Sequence, residues 1–270
     1  MVKRRAKKQS KFWRYFKKGL LFLVKIPYYF VKGIVYIIKN ISKKSKEDKI
    51  KKKRNLIRAN YVPFKILESV EGDYKNWFEK TIKSDSQIGI ILGARGSGKT
   101  ALGVKLIENI YARYRKRCFA IGFNPNEFPS WIKVVSNISE LSNDSWVLID
   151  EGGVLFNSRS SMSNANKMLS QMILVSRHKN INILFISQNS SNLEVNILRQ
   201  ADFLVLKPSS LLQKEFERKI IQKIYSEAQD KFKKYNNEKG LSYLYSGEFR
   251  GFISNPLPSF WKEEISKSFK

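Results

Sequence analysis

A glycine-rich octapeptide carries the clearest chemical signal in the sequence. It fits the pattern G-x-x-x-x-G-K-[ST] and consists of Gly93, Ala94, Arg95, Gly96, Ser97, Gly98, Lys99 and Thr100. Glycines allow consecutive backbone N–H groups to face phosphate oxygens, and the N-terminus of a following helix attracts negative charge. The pattern predicts a phosphate-binding loop, the P-loop, in which Lys99 reaches the β- and γ-phosphates of ATP and Thr100 ligates Mg²⁺.

The residues on both sides of the P-loop fit the setting of strand, loop and helix that the motif requires. Residues 88–92 (IGIIL) form a short apolar run that is typical of a buried strand. After the loop, residues 100–117 place apolar side chains at spacings of three and four on one helix face: Val104, Ile107, Tyr111 and Tyr114. A chance match to the motif would lack these flanks.

Two adjacent carboxylates follow a second apolar run further along the chain. Residues 146–149 (WVLI) predict a buried strand that ends at Asp150 and Glu151. We expect Asp150 to hold Mg²⁺ through water and Glu151 to polarise the attacking water as a general base. The alternative is that the pair only caps the turn before Gly152. A GTPase is disfavoured, because the chain contains no Asn-Lys-x-Asp sequence to read the base.

A third apolar run, residues 181–186 (INILFI), predicts another buried strand. It is followed by Ser187, Gln188 and Asn189. A polar residue at such a strand end can lie beside the γ-phosphate, and we expect Gln188 to do so. The alternative is that its amide satisfies loop backbone groups.

The charge of the chain indicates a polyanionic partner. Its 270 residues include 51 Lys and Arg against 23 Asp and Glu, a formal net charge of +28. Residues 1–60 hold 21 of the basic residues and only two of the acidic ones. With one cysteine, Cys118, and one histidine, His178, the sequence excludes a disulfide framework and makes a zinc centre unfavourable.

The N-terminal quarter predicts a basic segment that associates with membranes. Residues 19–38 are mostly apolar, but Lys25 and Lys32 lie within them and make insertion into a bilayer nearly neutral in free energy. Five lysines recur every seven residues along one helix stripe: Lys11, Lys18, Lys25, Lys32 and Lys39. This spacing predicts an amphipathic helix on an anionic membrane surface, with a transmembrane helix, a partner-binding helix and a nucleic-acid arm as alternatives.

We place the domain boundary at about residue 60. Residues 1–60 form the basic segment and linker, and residues 61–270 form the nucleotide-binding domain. In the C-terminal part, residues 210–235 predict one long amphipathic helix with an apolar face: Leu212, Phe216, Ile220, Ile224, Ala228 and Phe232. Two short strands are expected at about residues 242–245 and 252–254.

Three segments together with the P-loop resemble the FtsK–HerA superfamily of DNA-pumping ATPases. They are VLIDEGG at 147–153, SRHKNINILFISQNSSNLEVNILRQADFLVL at 176–206, and SGEFRGFISNPLPSFWKEEISKSF at 246–269. The sequence is most similar to small members of this superfamily, the genome-packaging ATPases of viruses and the Zot-like assembly ATPases, including those of archaeal viruses and plasmids. The resemblance covers about residues 62–264.

This resemblance implies an α/β fold of the RecA-like (ASCE) P-loop type with a mostly parallel central sheet. In that fold, the strand before Gln188 separates the P-loop strand from the strand that ends at Asp150. It also implies a homo-oligomeric ring, expected to be a hexamer, with ATP between subunits. A neighbouring subunit then supplies an arginine to the site. Arg177 and Arg199 are the candidates, with Arg199 preferred, and a surface salt bridge is the alternative for either.

The leading functional hypothesis is a membrane-associated, ring-forming ATPase that couples hydrolysis to DNA translocation. The process is genome packaging, virion extrusion or plasmid transfer, at the cytoplasmic face of the host membrane or in the virion. Residues 157–167 are expected to contact DNA in the ring. The expected partners are DNA, anionic membrane and capsid or coat proteins. The alternative is a Zot-like assembly scaffold with a nucleotide-controlled switch, whereas a metabolite kinase is disfavoured by the charge.

Overall fold

A computed structural model of the chain describes residues 2–152 and 162–266. It divides into two compact units, Met1–Lys53 and Arg54–Lys270. Part of the loop that we expect to contact DNA, residues 157–161, lies outside the described residues, so that this prediction stays a prediction.

The first unit contains most of helix α1 (Val2–Leu56). Lys32 and Lys39 are exposed, as are several apolar side chains between and beside them: Val31, Tyr36, Ile37, Ile38 and Ile41. Among the residues that the structure describes, no helix is sufficiently long and apolar to cross a membrane.

The second unit is built on one mixed sheet, which has nine strands among the described residues. The strands are β1 (Lys65–Glu71), β2 (Ile88–Leu92), β3 (Arg117–Ile121), β4 (Ile132–Val134), β5 (Ser145–Asp150), β6 (Ile181–Ile186), β7 (Phe203–Leu206), β8 (Leu241–Ser246) and β9 (Arg250–Ser254). Their order across the sheet is β1-β9-β8-β7-β2-β6-β5-β3-β4. The strands from β7 to β4 are parallel, whereas β8, β9 and β1 extend the sheet with antiparallel pairs.

Helices cover both faces of this sheet. They are α2 (Tyr74–Lys83), α3 (Lys99–Tyr114), α4 (Met162–Lys179), α5 (Val195–Arg199), α6 (Leu211–Glu215), α7 (Lys219–Lys234) and α8 (Glu263–Ser266). Successive side chains of a strand point to opposite faces. In β2, Ile91 therefore packs into the core shared with α2 and α3, while Ile90 packs into the core shared with α4 and α7.

The strands expected to carry chemistry are present where the sequence predicts them, and their order brings them together. β6 pairs with β2 on one side, with Ile186 opposite Ile91, and with β5 on the other, with Ile186 opposite Asp150. The carboxyl ends of parallel strands meet at one edge of the sheet. The P-loop, Asp150 and the residues after Ile186 consequently lie at the same edge.

The prediction of one helix over residues 210–235 is wrong. The structure has two helices there, α6 and α7, because Glu217 and Arg218 leave the helical path to bind the loop after β6. The predicted apolar face is buried only in α7, at Ile224 and Ala228. Its first three members, Leu212, Phe216 and Ile220, are 70%, 64% and 58% exposed. The two short strands predicted after it are present within β8 and β9.

Residues 60–62 are bound to helix α3 by a buried polar network. Glu108 accepts a hydrogen bond from the main-chain N–H of Asn60 at 3.0 Å, and Lys105 donates to the carbonyl of Asn60 at 2.9 Å. Asn109 bonds both the N–H and the carbonyl of Val62. Lys105 also forms a buried ion pair with Glu108 at 2.8 Å. The segment before the sheet is therefore held against the P-loop helix.

Candidate functional site

The P-loop connects β2 to α3 through backbone that favours glycine. Gly96 and Gly98 have φ angles of +76° and +86°, in the left-handed region that L side chains rarely adopt. Helix α3 begins at Lys99, whose side chain is only 7% exposed. The Lys99 ammonium donates to the carbonyl oxygens of Gly93 and Ala94 at 2.7 and 2.8 Å. The ammonium of Lys99 thus lies against the P-loop, where we expect it to contact phosphate.

Polar groups of the loop fit a bound polyphosphate. The hydroxyl oxygen of Ser97 is buried and has no hydrogen-bond partner among the described residues. A Cβ atom added at Gly96 would meet no atom within 4 Å, so that the space in front of this residue is open. The first N–H groups of α3 also have no partner within the helix. Phosphate oxygens supply acceptors for all of these donors.

Burial destabilises the charged form of the Lys99 side chain. It lowers the pKa of Lys99 to about 8, against the charges of Asp150, Glu151 and Glu217, which raise it. A phosphate group beside Lys99 would favour its charged form in the same way as these carboxylates do.

Thr100 and Asp150 provide oxygen ligands of the kind that Mg²⁺ prefers. The Thr100 hydroxyl oxygen lies 3.4 Å from one carboxylate oxygen of Asp150. The other carboxylate oxygen accepts the N–H of Gly152 at 3.0 Å, which orients the group. The two residues come from α3 and β5, and the sheet order places them together. Their donor set fits Mg²⁺ bound beside the P-loop.

Glu151 is buried, with only 5% of its surface exposed, and it is held by hydrogen bonds. The Ser187 hydroxyl group donates to its carboxylate. Burial raises the pKa of Glu151, as does the charge of Asp150, whereas hydrogen bonds from Ser187, the main chain of Gln188 and the side chain of Asn192 lower it. A buried carboxylate with fixed orientation is suited to accept a proton from water.

Ser187 is a site residue that the sequence analysis missed. It is 1% exposed, and its N–H donates to the carbonyl of Ile91 at 3.0 Å, two residues before the P-loop. The signal in the sequence is its position as the first polar residue after the apolar run of β6. The side chain of Gln188 is exposed, and its main-chain carbonyl accepts a hydrogen bond from Gln213 at 2.6 Å. Its expected contact with the γ-phosphate stays a prediction.

The two arginine candidates lie on opposite sides of β6 in the sequence, at helix ends. Arg177 is in the last turn of α4 and Arg199 in the last turn of α5, and both are exposed. Neither forms an ion pair with the part of the chain that the structure describes. Their expected action on a neighbouring subunit stays a prediction.

Two further buried charges near the site were not expected from the sequence. Glu217 is 5% exposed; one carboxylate oxygen accepts the N–H of Ser190 at 2.7 Å, and the other has no partner among the described residues. Lys207 is fully buried directly after β7. A charged residue that ends an apolar run such as FLVL is the signal that could have identified Lys207.

An open cavity of about 840 Å³ adjoins the P-loop. Its wall includes Gly96, Ser97 and Gly98 of the loop, together with Lys207. The remaining wall comes from residues 237–240 and 254–257, together with Val62, Pro63, Lys65 and Ala101. This volume lies within the range of small-molecule sites.

No protein-family model matches the sequence, and no curated protein matches it. Among solved structures, the chain is similar to the DNA-packaging ATPase B204 from Sulfolobus Turreted Icosahedral Virus, at 15% identity and a TM-score of 0.44 over 63% of this chain and 98% of that chain. It is also similar to the genome packaging NTPase B204 from Sulfolobus turreted icosahedral virus 2 in complex with ATP-gammaS. The identity is 16% and the TM-score 0.44, over 64% of this chain and 98% of that chain.

A further similar structure is the pCW3 conjugation coupling protein TcpA, monomer form with ATPgS, at 12% identity and a TM-score of 0.42 over 69% of this chain and 66% of that chain. Identities and scores of this size carry no residue roles over to this chain. Its own P-loop, the two carboxylates at the end of β5 and the place of β6 between β2 and β5 give it the arrangement of a P-loop NTPase.

Proposed function

We propose that this protein is a ring-forming, membrane-associated ATPase of the FtsK–HerA type that couples ATP hydrolysis to the movement of DNA. The observation that carries the proposal is the meeting of Lys99, Asp150 and Glu151 at one edge of the sheet, with Glu151 buried against Ser187. The strand order β7-β2-β6-β5-β3 supports a RecA-like (ASCE) core.

Hydrolysis follows from the positions of these side chains. Lys99 exchanges the carbonyls of Gly93 and Ala94 for the β- and γ-phosphates, where its charge stabilises the transition state. Glu151 accepts a hydrogen bond from the attacking water and draws its proton, while Ser187 keeps the carboxylate oriented. When bound at Thr100 and Asp150, Mg²⁺ supplies charge neutralisation at the phosphates.

A neighbouring subunit completes the site in this proposal. Arg199, or else Arg177, reaches the phosphates of the adjacent subunit and stabilises the charge that develops there. Their exposure and their lack of ion pairs among the described residues leave both guanidinium groups accessible to such a neighbour. We expect the ring to be a hexamer.

The partners follow from charge and exposure. An excess of 28 positive charges supports DNA as a partner, because DNA phosphates release counterions on binding cations. In α1, exposed apolar side chains such as Ile37 and Ile41 lie among lysines, which supports attachment to an anionic membrane surface. Capsid or coat proteins are proposed as further partners, at the cytoplasmic face of the host membrane or in the virion.

The experiment that tests the proposal is ATP turnover by the full chain against a titration of DNA at several salt concentrations. We expect DNA to stimulate turnover, and salt to weaken the stimulation. Lys99→Ala should abolish turnover and weaken ATP binding, whereas Glu151→Gln should abolish turnover and retain binding. The exposed variants Lys75→Ala and Glu227→Gln are the matched controls. Equal hydrolysis with and without DNA would contradict DNA translocation.

The exposed apolar side chains of α1 also favour a second function, a Zot-like membrane scaffold in which the nucleotide acts as a switch. Adding anionic liposomes to the same assay separates the two. Stimulation of turnover by liposomes without any effect of DNA would identify the scaffold. Stimulation by DNA in both the presence and the absence of liposomes would identify the translocase.

A further inference from the structure

We propose that Lys207 is a second lysine of the nucleotide site, which contacts the α-phosphate and ribose end of the bound nucleotide. This inference rests on the proposed nucleotide-binding function and deepens it. It assigns a binding role to a residue outside the P-loop, on the strand beside it.

Lys207 is packed directly against the P-loop. Its N–H donates to the carbonyl of Leu92 at 2.8 Å, which continues the pairing of β7 with β2 into the start of the loop. A Cβ atom on Gly93 would lie 2.5 Å from the Cβ atom of Lys207. A Cβ atom on Gly98 would lie 4.0 Å from its Nζ atom. The ammonium is thus adjacent to the part of the loop that binds phosphate.

Among the residues that the structure describes, this ammonium forms no ion pair. Its Nζ atom donates to two neutral oxygens, the carbonyl of Gly240 at 2.9 Å and the side-chain amide oxygen of Asn255 at 2.8 Å. Burial, together with the positive charge of Lys99, lowers the pKa of Lys207 to about 7. The carboxylates that support Lys99 exert no such effect on Lys207 in the described structure.

Among the described residues, carboxylates act on Lys99 but none acts on Lys207, which indicates that an anion belongs beside Lys207 when it is protonated. A buried charge without a partner is strongly unfavourable. An ammonium has three N–H donors, and the oxygens of Gly240 and Asn255 occupy two. A phosphate oxygen of the nucleotide would accept from the third donor and supply the absent negative charge.

The sheet order decides which end of the nucleotide Lys207 contacts. β6 and β5, with Asp150 and Glu151, lie on one side of the P-loop strand β2, which is where the γ-phosphate is cleaved. β7 lies on the other side of β2. Lys207 and the cavity of about 840 Å³ therefore adjoin the end of the nucleotide that is not cleaved.

The test compares binding of ATP, ADP and AMP to the full chain at fixed salt and pH. Lys207→Gln keeps donors for Gly240 and Asn255 but removes the charge, and Lys207→Met removes both. We expect Lys207→Gln to weaken the binding of all three nucleotides by a similar factor, about tenfold or more. Lys99→Ala should weaken the binding of ATP and ADP and leave the binding of AMP unchanged, because Lys99 contacts the β- and γ-phosphates. Thermal unfolding without nucleotide checks folding.

Two results would overturn the inference and leave the proposed function standing. One is a folded Lys207→Gln protein that binds AMP as the wild type does, and the other is weakened binding of ATP alone. Failure of the wild type to bind ATP would instead refute the proposed function. If neither variant folds, calorimetry of AMP binding to the Lys99→Ala protein at pH 8, in buffers with different ionisation enthalpies, decides, because this variant removes the other lysine that could take up a proton. Proton uptake supports the contact with Lys207, and its absence refutes it.

Discussion

The hydroxyl group of Ser187 donates a hydrogen bond to the carboxylate of Glu151, although the two residues are 36 positions apart in the sequence. Ser187 follows β6 and Glu151 follows β5, and these strands are neighbours in the sheet. The N–H of the same serine donates to the carbonyl of Ile91, two residues before the P-loop. One residue thus links the proposed general base to the loop that is expected to hold the phosphates.

Substitution Ser187→Ala should impair hydrolysis more than binding. The hydrogen bond from Ser187 orients the carboxylate of Glu151 and lowers its pKa, so that loss of this bond frees the carboxylate to rotate and raises its pKa. We expect turnover at pH 7 to fall by about tenfold or more, with ATP affinity unchanged. The acid limb of the pH–rate profile should move to higher pH. Ser226→Ala, on the exposed face of α7, is the control. An unchanged acid limb would show that Ser187 does not act on Glu151.

The buried pair of Lys105 and Glu108 should contribute strongly to stability. Glu108→Ala leaves the ammonium of Lys105 buried without its counter-ion and removes the acceptor for Asn60 and Ser259. We expect the free energy of unfolding in urea to fall by about 3–5 kcal/mol. Glu79→Ala, which removes an exposed ion pair with Arg113, should cost less than about 1 kcal/mol. Equal losses for the two variants would contradict the buried network.

Lys207 should make the stability of the protein depend on pH in the alkaline range. Its pKa is about 7 in the folded chain, below the ordinary value of 10.5. Between these values the unfolded chain binds the proton and the folded chain does not, so that stability rises with pH. The contribution is at most about 1.4 kcal/mol per pH unit. The free energy of unfolding in urea, measured between pH 7 and 9, should lack this contribution in Lys207→Gln and retain it in Lys75→Gln. Identical slopes for wild type and Lys207→Gln would refute the burial of a neutral lysine.

Mixing of inactive variants tests whether an arginine acts between subunits. We expect Arg199→Ala to lower turnover by about 10³-fold or more. In a mixed ring, a subunit with Arg199→Ala and a neighbour with Lys99→Ala form one complete site, so that activity should return on mixing. Lys99→Ala mixed with Glu151→Gln should stay inactive, since every site then has a lesion of its own. Return of activity with Arg177→Ala instead would identify Arg177 as the arginine.

The elements of the site that depend on neighbouring residues in the chain were predictable from the sequence. The P-loop, the strands that end at Leu92, Asp150 and Ile186, and the helix after the loop are each specified by contiguous patterns. Alternation and helical spacing act over a few residues, and a glycine-rich loop needs only its own backbone to turn. Thr100 and Asp150 could be expected together because parallel strands bring their carboxyl ends to one edge.

Residues that serve the site through distant partners were decided by the tertiary structure. Ser187 and Lys207 acquire their surroundings from strands that are adjacent only in the folded sheet, and Glu108 binds segments 48 and 151 residues away. The helix predicted over residues 210–235 breaks because Glu217 and Arg218 bind the loop at Ser190, and these contacts outweigh local helical preference. Local sequence patterns specify elements, whereas burial and hydrogen bonding of a charged side chain depend on which elements the fold places beside it.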